Sequence, residues 1–205
     1  PDYVASDEGA AFIAEALRRG FRVLPHFNYF AVDPNHAVHD RVRPFVMRDV
    51  RTRRLMGWRW FERHCPPFPQ AEGRLRALRE QKVMAYVHCG SSTWRRELVE
   101  RIAAAAARLQ APGVFIDQTL CTFNLENALA ENLTSTEGML WLTRELTELD
   151  GRLAVGGEGR NEMSMQYETF AQAHLFRSWH TNCEHFEALD PVPVGEALYG
   201  RLCRT

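Results

Sequence analysis

Two carboxylates have the positions and residue types for chemistry, because each follows a short apolar run. Asp117 ends a run that begins at Gly113, and Glu158 follows a run that begins at Leu153. A charge at the point where a buried strand passes into a loop is costly unless it has a partner or a use. Two carboxyl groups held close together can act as nucleophile and general acid/base, the chemistry that cleaves glycosidic bonds. We therefore treat Asp117 and Glu158 as the candidate catalytic pair.

Other polar side chains lie at the ends of apolar runs or directly beside the two carboxylates. Hydrogen bonds to sugar hydroxyls are one use for them, and the alternative is a satisfied polar residue at the rim of the fold. Glu162 also competes with Glu158 for the role of acid, but we expect it inside the next helix. The candidate substrate-binding residues are His26, Asn28, His88, Gln118, Arg160, Asn161 and Glu162.

The elements that position these residues alternate between helix and strand. Capping residues, apolar spacing and glycine stops predict helices over about 7–19, 94–109 and 137–149, and a further helix from Asn161 through Ala171. Apolar runs predict strands over 21–28, 83–87, 113–117 and 152–157, with another at 174–180. Residues 29–70 show no strong period, which is typical of a functional loop or a small insertion.

This alternation predicts an α/β fold with a parallel sheet covered by helices. Polar residues at the ends of several strands favour a (β/α)8 TIM-type barrel, whose functional groups project from the carboxyl ends of its strands. An open doubly wound sheet is the alternative, but the sequence has no glycine-rich phosphate-binding turn. A complete barrel needs about 250 residues. We therefore expect 1–205 to be one partial TIM-barrel domain, its central portion, with an irregular insertion at about 29–70.

Composition excludes several other classes of function. The formal net charge is −1, which gives no electrostatic case for binding nucleic acid. No apolar run approaches the roughly 20 residues that span a bilayer. The five cysteines form no CxxC pair, so we expect free thiols and neither a structural zinc site nor another cofactor. The sequence indicates neither an oligomeric state nor a cellular compartment.

With both carboxylates placed, the sequence resembles the catalytic barrel of glycoside hydrolases of the α-amylase and α-galactosidase type. It most resembles barrels of unassigned activity among bacterial carbohydrate-degrading proteins. In α-amylase-type barrels a strand ending in Asn precedes an insertion, the next strand ends in the Asp nucleophile, and the one after ends in the Glu acid/base. The resemblance is carried by the sequences VLPHFN at 23–28, WR at 94–95, VFIDQ at 114–118 and EGRNE at 158–162.

This resemblance implies a retaining glycosidase with a carbohydrate substrate. Asp117 takes the place of the nucleophile and Glu158 that of the general acid/base. Phe115 stands where the family usually has Arg, two residues before the nucleophile.

Two rival functions use the same strand ends. A metal-dependent hydrolase would take His26, His88, Asp117 and Glu158 as ligands, although the HxH pair typical of such barrels is absent. A carbohydrate-binding barrel would keep the fold but would not catalyse a reaction. In a purely structural interpretation Asp117 caps its loop and Glu158 forms a salt bridge with an arginine.

Overall fold

The computed structural model of the chain describes residues 3–59, 83–119, 123–149, 153–159, 162–172, 197–198 and 201. Helices and strands alternate along the main part of this range. Two short 3-10 helices lie at Arg43–Phe45 and Ser164–Gln166. In chain order the others are α1 (Asp7–Arg18), β1 (His26–Asn28), β2 (Ala31–Val32), α2 (Ala37–Val42), β3 (Gly57–Arg59), β4 (Val83–Tyr86), α3 (Ser92–Leu109), β5 (Gly113–Asp117), α4 (Ser135–Glu148), β6 (Ala154–Gly157) and β7 (Phe170–Ala171).

The three long helices form where their caps and apolar spacing predict them. The Ser6 hydroxyl caps α1, and the Ser91 hydroxyl caps α3. At the start of α4, Thr134 and Glu137 form a capping box in which each side chain accepts a hydrogen bond from the other residue's backbone N–H. These bonds satisfy donors that the first turn of a helix leaves without partners.

A parallel four-stranded sheet in the order β1-β5-β6-β7 carries the candidate carboxylates. In the register of β1 and β5, Asn28 lies opposite Asp117. In the register of β5 and β6, Gly113 lies opposite Ala154, and a Cβ on Gly113 would lie 2.4 Å from the Ala154 carbonyl oxygen. The sheet therefore gathers the carboxyl ends of its strands at one edge, as the sequence predicts.

A second, antiparallel sheet lies between β1 and β5 in the chain. Its order is β2-β4-β3, so the predicted strand at 83–87 belongs to this sheet and not to the parallel one. The segment before β3 contains an isolated antiparallel bridge between Arg48 and Leu55. This small sheet packs beside the carboxyl end of β1, because β2 begins three residues after it.

The prediction of a helix from Asn161 through Ala171 is wrong. The described part of this segment is a 3-10 turn at Ser164–Gln166 followed by β7, which pairs with β6. Met163, Tyr167, Phe170 and Ala171 have helical spacing, but the pairing of Phe170 with Gly156 overrides it. A Cβ on Gly156 would lie 2.1 Å from the Phe170 ring, so the missing side chain makes room for this pairing. The strand predicted at 174–180 lies outside the described residues.

The core lies between the parallel sheet and the helices that follow its strands. Fully buried side chains include Val114, Ile116 and Val155 from the sheet, Trp94, Leu98 and Ile102 from α3, and Leu142 and Leu146 from α4. This arrangement of a parallel sheet under helices confirms the predicted α/β class. Among the described helices, none is both long enough and apolar enough to cross a membrane.

Candidate active site

Asp117 lies at the carboxyl end of β5 and lines a cavity of about 440 Å³. Cavities of this size are typical of small-molecule sites. Four of its lining residues are polar and were predicted from the sequence, namely His26, Asn28, Asp117 and Gln118. The structure therefore brings these four candidates together.

Asn28 presents its amide nitrogen to Asp117 because its amide oxygen is used elsewhere. The Asn28 oxygen accepts hydrogen bonds from the backbone N–H groups of Phe30 at 3.0 Å and Ala31 at 2.8 Å. The Asn28 nitrogen then lies 3.4 Å from Asp117 Oδ2 and 3.5 Å from Gln118 Oε1. These two contacts are long for hydrogen bonds, but the backbone fixes which end of the amide faces the carboxylate.

His26 contacts the other oxygen of the same carboxylate. Its Nε2 atom lies 3.5 Å from Asp117 Oδ1, and the contact is an ion pair when the imidazole is protonated. The His26 side chain is 61% exposed and that of Asp117 is 21% exposed. The imidazole also stacks on the Phe115 ring, with ring centroids 5.2 Å apart. Phe115 thus supports His26 from the neighbouring strand.

Tyr3 holds the backbone of β1 at the same place. Its hydroxyl donates to the Asn28 carbonyl oxygen, and its ring packs edge-on against Phe27. Burial raises the pKa of the Tyr3 hydroxyl; Arg101 partly offsets this effect, and the nearby Asp117 carboxylate adds to it. Tyr3 therefore stays a neutral donor beside the cavity.

Glu158 is tied to the tip of β5 through the backbone of Gln118. Gln118 has a φ of 60°, a left-handed conformation that is uncommon for a residue other than glycine. Its N–H donates to Glu158 Oε2 at 2.8 Å. The Glu158 N–H in turn donates to the Thr119 hydroxyl at 3.0 Å. The two strand ends are thus joined by two hydrogen bonds.

The register of β5 and β6 places Asp117 and Glu158 at neighbouring positions. Ile116 lies opposite Gly157, so the next residue along each strand is one of the two carboxylates. Adjacent strands are about 4.8 Å apart. Glu158 is half-buried and is not among the residues that line the cavity. It lies beside the cavity, next to Gln118.

His88 is the predicted binding residue that the structure places elsewhere. It is fully buried after β4. Its Nδ1 atom accepts a hydrogen bond from the Gly90 N–H at 3.0 Å, and its Nε2 atom lies 3.2 Å from the Ala128 carbonyl oxygen. Both ring nitrogens therefore have backbone partners, and burial lowers the pKa of the imidazole. His88 holds the turn before α3 and has no ring nitrogen left for a substrate.

The remaining candidates follow β6. Glu162 is exposed and lies in a turn, not inside a helix as predicted. Arg160 and Asn161 lie outside the described residues.

The structure does not bring together the four residues of the alternative metal site, which are His26, His88, Asp117 and Glu158. His88 is bound to backbone groups away from Asp117 and Glu158. Within the part of the chain that the structure describes, no three His, Cys, Asp or Glu side chains converge as metal ligands do.

Sequence reasoning missed the apolar wall of the cavity. This wall is formed by Phe30, Ala31, Met84 and Tyr86, which follow β1 or belong to the antiparallel sheet. Met84 and Tyr86 are two residues apart on β4 and so share one face of the strand. The sequence of 83–87 is Val-Met-Ala-Tyr-Val, and this continuous run does not distinguish one face of the strand from the other. The pairing of β4 with β2 and β3, which brings the face to the cavity, is not visible in the sequence.

Sequence reasoning also missed Glu168, a buried carboxyl just before β7. It lies close to Gly157, because a Cβ on that glycine would lie 2.0 Å from Glu168 Oε1. Burial raises the pKa of Glu168 to about 7, and the hydroxyls of Thr119 and Ser164 partly offset the effect. Because we expected a helix over this segment, we did not expect Glu168 to lie close to the last residue of β6.

No protein-family model and no curated protein sequence matches the chain. Among solved structures, it is similar to the α-N-acetylgalactosaminidase NagBb from Bifidobacterium bifidum, solved as a complex with GalNAc. The match covers 99% of this chain and 31% of that one, with 11% identity and a TM-score of 0.66. The α-galactosidase TtGalA from Thermus thermophilus, in complex with stachyose, matches over 81% of this chain and 31% of its own, with 16% identity and a TM-score of 0.50.

These identities make the likeness one of fold. The chain has the α/β fold of a glycoside-hydrolase barrel and spans 31% of the length of each of these two structures.

Proposed function

We propose that this chain supplies the catalytic carboxylates of a retaining glycoside hydrolase. One observation carries the proposal: Asp117 and Glu158 occupy neighbouring register positions at the carboxyl ends of adjacent parallel strands, next to a cavity of about 440 Å³. Retaining glycosidases need two carboxyl groups about 5–5.5 Å apart. Neighbouring strands provide a separation of that order.

In this proposal Asp117 is the nucleophile. It lines the cavity, and its two oxygens face the donors of His26 and Asn28. Those donors orient the carboxylate and leave it exposed to an anomeric carbon in the cavity. Attack forms a covalent glycosyl ester and releases the aglycone.

Glu158 is the general acid/base, which first protonates the leaving oxygen and later deprotonates the attacking water. Its Oε2 atom accepts the Gln118 N–H, so the bond holds the carboxyl at the tip of β5. A rotation that aims the carboxyl at the cavity is needed for this role, as is common when catalytic hydrogen bonds tighten with substrate.

The substrate proposed for testing is an α-linked galactose or N-acetylgalactosamine. The names of the similar structures NagBb and TtGalA suggest these two sugars as probes. Para-nitrophenyl glycosides of both sugars allow turnover to be followed with the full-length protein.

The test compares wild type with Asp117→Ala, Glu158→Ala and the control Glu100→Ala, an exposed carboxylate on α3. We expect each site variant to lose about 10²–10⁴-fold or more in kcat and the control to stay near wild type. Turnover within about tenfold of wild type for either site variant would refute its assigned role.

Azide separates the two roles. In Asp117→Ala, azide replaces the nucleophile and should give a glycosyl azide of the opposite anomeric configuration to the substrate. In Glu158→Ala, azide attacks the covalent intermediate and should give the same configuration as the substrate. If Asp117→Ala instead gave the substrate's configuration and Glu158→Ala gave the opposite one, the roles of Asp117 and Glu158 would be reversed.

A carbohydrate-binding barrel without turnover is the second candidate function. The bond from the Gln118 N–H to Glu158 favours it, because it gives a structural partner to a carboxylate that does not line the cavity. Saturable binding of galactose or N-acetylgalactosamine, with loss of binding in Asn28→Ala and no turnover of either glycoside by wild type, would favour this candidate over the hydrolase.

A further inference from the structure

Glu168 is a buried carboxyl that the proposed reaction leaves without a use. It is 3% exposed and lies between the 3-10 helix at Ser164–Gln166 and β7. Within the described residues, neither of its carboxyl oxygens makes a hydrogen bond of normal length and angle. The hydroxyls of Thr119 and Ser164 are nevertheless close enough to act on its protonation. A buried acid in this situation is a candidate for a functional role.

Thr119 links Glu168 to the backbone nitrogen of Glu158. A Cβ on Gly157 would lie 2.0 Å from Glu168 Oε1 and 2.3 Å from Thr119 Oγ1, so both oxygens crowd the same side of this glycine. Thr119 Oγ1 already accepts the Glu158 N–H at 3.0 Å. A hydroxyl that accepts in this way keeps its own proton to donate, and the Glu168 carboxyl is the neighbouring acceptor.

Ser164 links Glu168 to the other side of Glu158. Its hydroxyl donates to the Gly159 carbonyl oxygen at 3.0 Å. Because that proton is used, the serine oxygen is an acceptor toward Glu168. A neutral carboxyl has one donor and one acceptor and so matches both hydroxyls. A carboxylate has acceptors alone and would compete with Gly159 for the serine proton.

We propose that Glu168, as a neutral carboxyl, is a positioning residue that holds residues 157–159, and with them Glu158, through the hydroxyls of Thr119 and Ser164. The effect on catalysis rests on the proposed function, in which Glu158 is the acid/base. The effect on the backbone of Glu158 does not, so the two can be tested separately.

Several titratable or charged groups lie on the elements around Glu168. They are Glu158 and Glu162 in the loop after β6, Asp117 at the end of β5, Tyr167 beside it in the chain, and Arg144 on α4. Among the described residues, burial and the two hydroxyls determine the pKa of Glu168, and these charged groups do not contribute to it. Its protonation is therefore set by its immediate surroundings.

The direct test is hydrogen exchange at the Glu158 amide, measured at about pH 6 and about pH 8 and corrected for the intrinsic exchange rate. We expect wild type to protect this amide at the lower pH and to lose protection at the higher one. Glu168→Gln should protect it at both, because a side-chain amide donates and accepts at every pH. Glu168→Ala should exchange about tenfold faster or more at both.

Glu100→Ala is the control and should follow wild type. Unchanged protection in Glu168→Ala would overturn the proposal. If Glu168→Ala does not fold, the comparison of wild type with Glu168→Gln is the test. The same pH dependence of exchange at the Glu158 amide in these two proteins would overturn the proposal.

Kinetics with the para-nitrophenyl glycosides then test the catalytic consequence. We expect Glu168→Ala to lower kcat by roughly 10- to 100-fold with KM changed less than about threefold, and Glu168→Gln to restore kcat and extend activity to higher pH. If Asp117→Ala and Glu158→Ala abolish turnover while Glu168→Ala leaves kcat and amide exchange unchanged, the positioning role fails alone. If Asp117→Ala and Glu158→Ala keep full turnover, the proposed function fails instead.

Discussion

Asn28 shows how a single side chain can serve both the fold and the site. Its oxygen binds two backbone N–H groups of the turn into β2, and its nitrogen is thereby aimed at Asp117. The sequence places Asn28 at a strand end, because a polar residue ends an apolar run. It does not show which way the amide points, since that depends on the turn at Phe30 and Ala31.

Two substitutions at Asn28 separate these contributions. Asn28→Ala removes the acceptor of two backbone N–H groups and should lower the free energy of unfolding by about 1–3 kcal/mol. Asn28→Asp keeps the acceptor and should retain most of that stability. It loses the donor and adds a negative charge beside Asp117, so its kcat should fall well below wild type. Urea unfolding and glycoside kinetics on both variants check this, and equal kcat in Asn28→Asp and wild type would contradict it.

Glu168 gives stability a pH dependence of predictable sign. Its pKa is about 7 in the folded protein, against an ordinary value of 4.5. Between these values the folded state binds more protons than the unfolded state, so stability falls as pH rises through this window, by up to about 3 kcal/mol. This loss of stability is absent at a pH well below 4.5 and complete at a pH well above 7.

Glu168→Gln cannot ionise and should escape this penalty. Relative to wild type, its free energy of unfolding should rise by about 2–3 kcal/mol between about pH 5 and about pH 8. Urea unfolding at the two pH values measures the difference, with Glu100→Gln as the exposed control. A difference between Glu168→Gln and wild type that does not change with pH would contradict the assignment.

At the scale of elements, local signals predicted the helices and non-local pairing decided the rest. Caps at Ser6, Ser91 and Thr134 and the apolar spacing after them act within a few residues, so α1, α3 and α4 follow from the sequence. β7 does not, because Phe170 pairs with a strand more than a dozen residues earlier. A helical spacing of apolar residues is overruled when a neighbouring strand offers such a partner.

The contact of α4 with the turn before α3 depends on Gly138. A Cβ there would lie 2.2 Å from the Cys89 carbonyl carbon, and backbone cannot move aside easily. Gly138→Ala should therefore lower the free energy of unfolding by about 1–3 kcal/mol, even though alanine favours a helix. Thermal unfolding measures this loss.

Gly9→Ala on α1 is the matched control. Its Cβ would meet just the Ser6 hydroxyl, at 3.1 Å, so it should be neutral or slightly stabilising. Equal stability of Gly138→Ala and Gly9→Ala would show that the helix does not rely on this close approach.

On the scale of the whole molecule, the candidate site forms where two sheets meet. The parallel sheet supplies the polar side, with Asp117 at its centre, and the antiparallel sheet supplies apolar residues such as Met84 and Tyr86. The polar side was predictable, because strand ends in a barrel collect at one edge. The apolar side was not, since it depends on the pairing of β4 with β2 and β3, which join distant parts of the sequence.

The central claim is that Asp117 is the nucleophile of a glycosidase. The most direct measurement is covalent labelling of the full-length protein with a galactose-configured cyclitol epoxide, followed by digestion and peptide mass spectrometry. A nucleophilic carboxylate opens the epoxide and keeps the label as an ester. The proposed function predicts one label, on Asp117, with loss of turnover and with protection by galactose. A label on Glu158 or Glu162, or inactivation that leaves Asp117 unmodified, would contradict it.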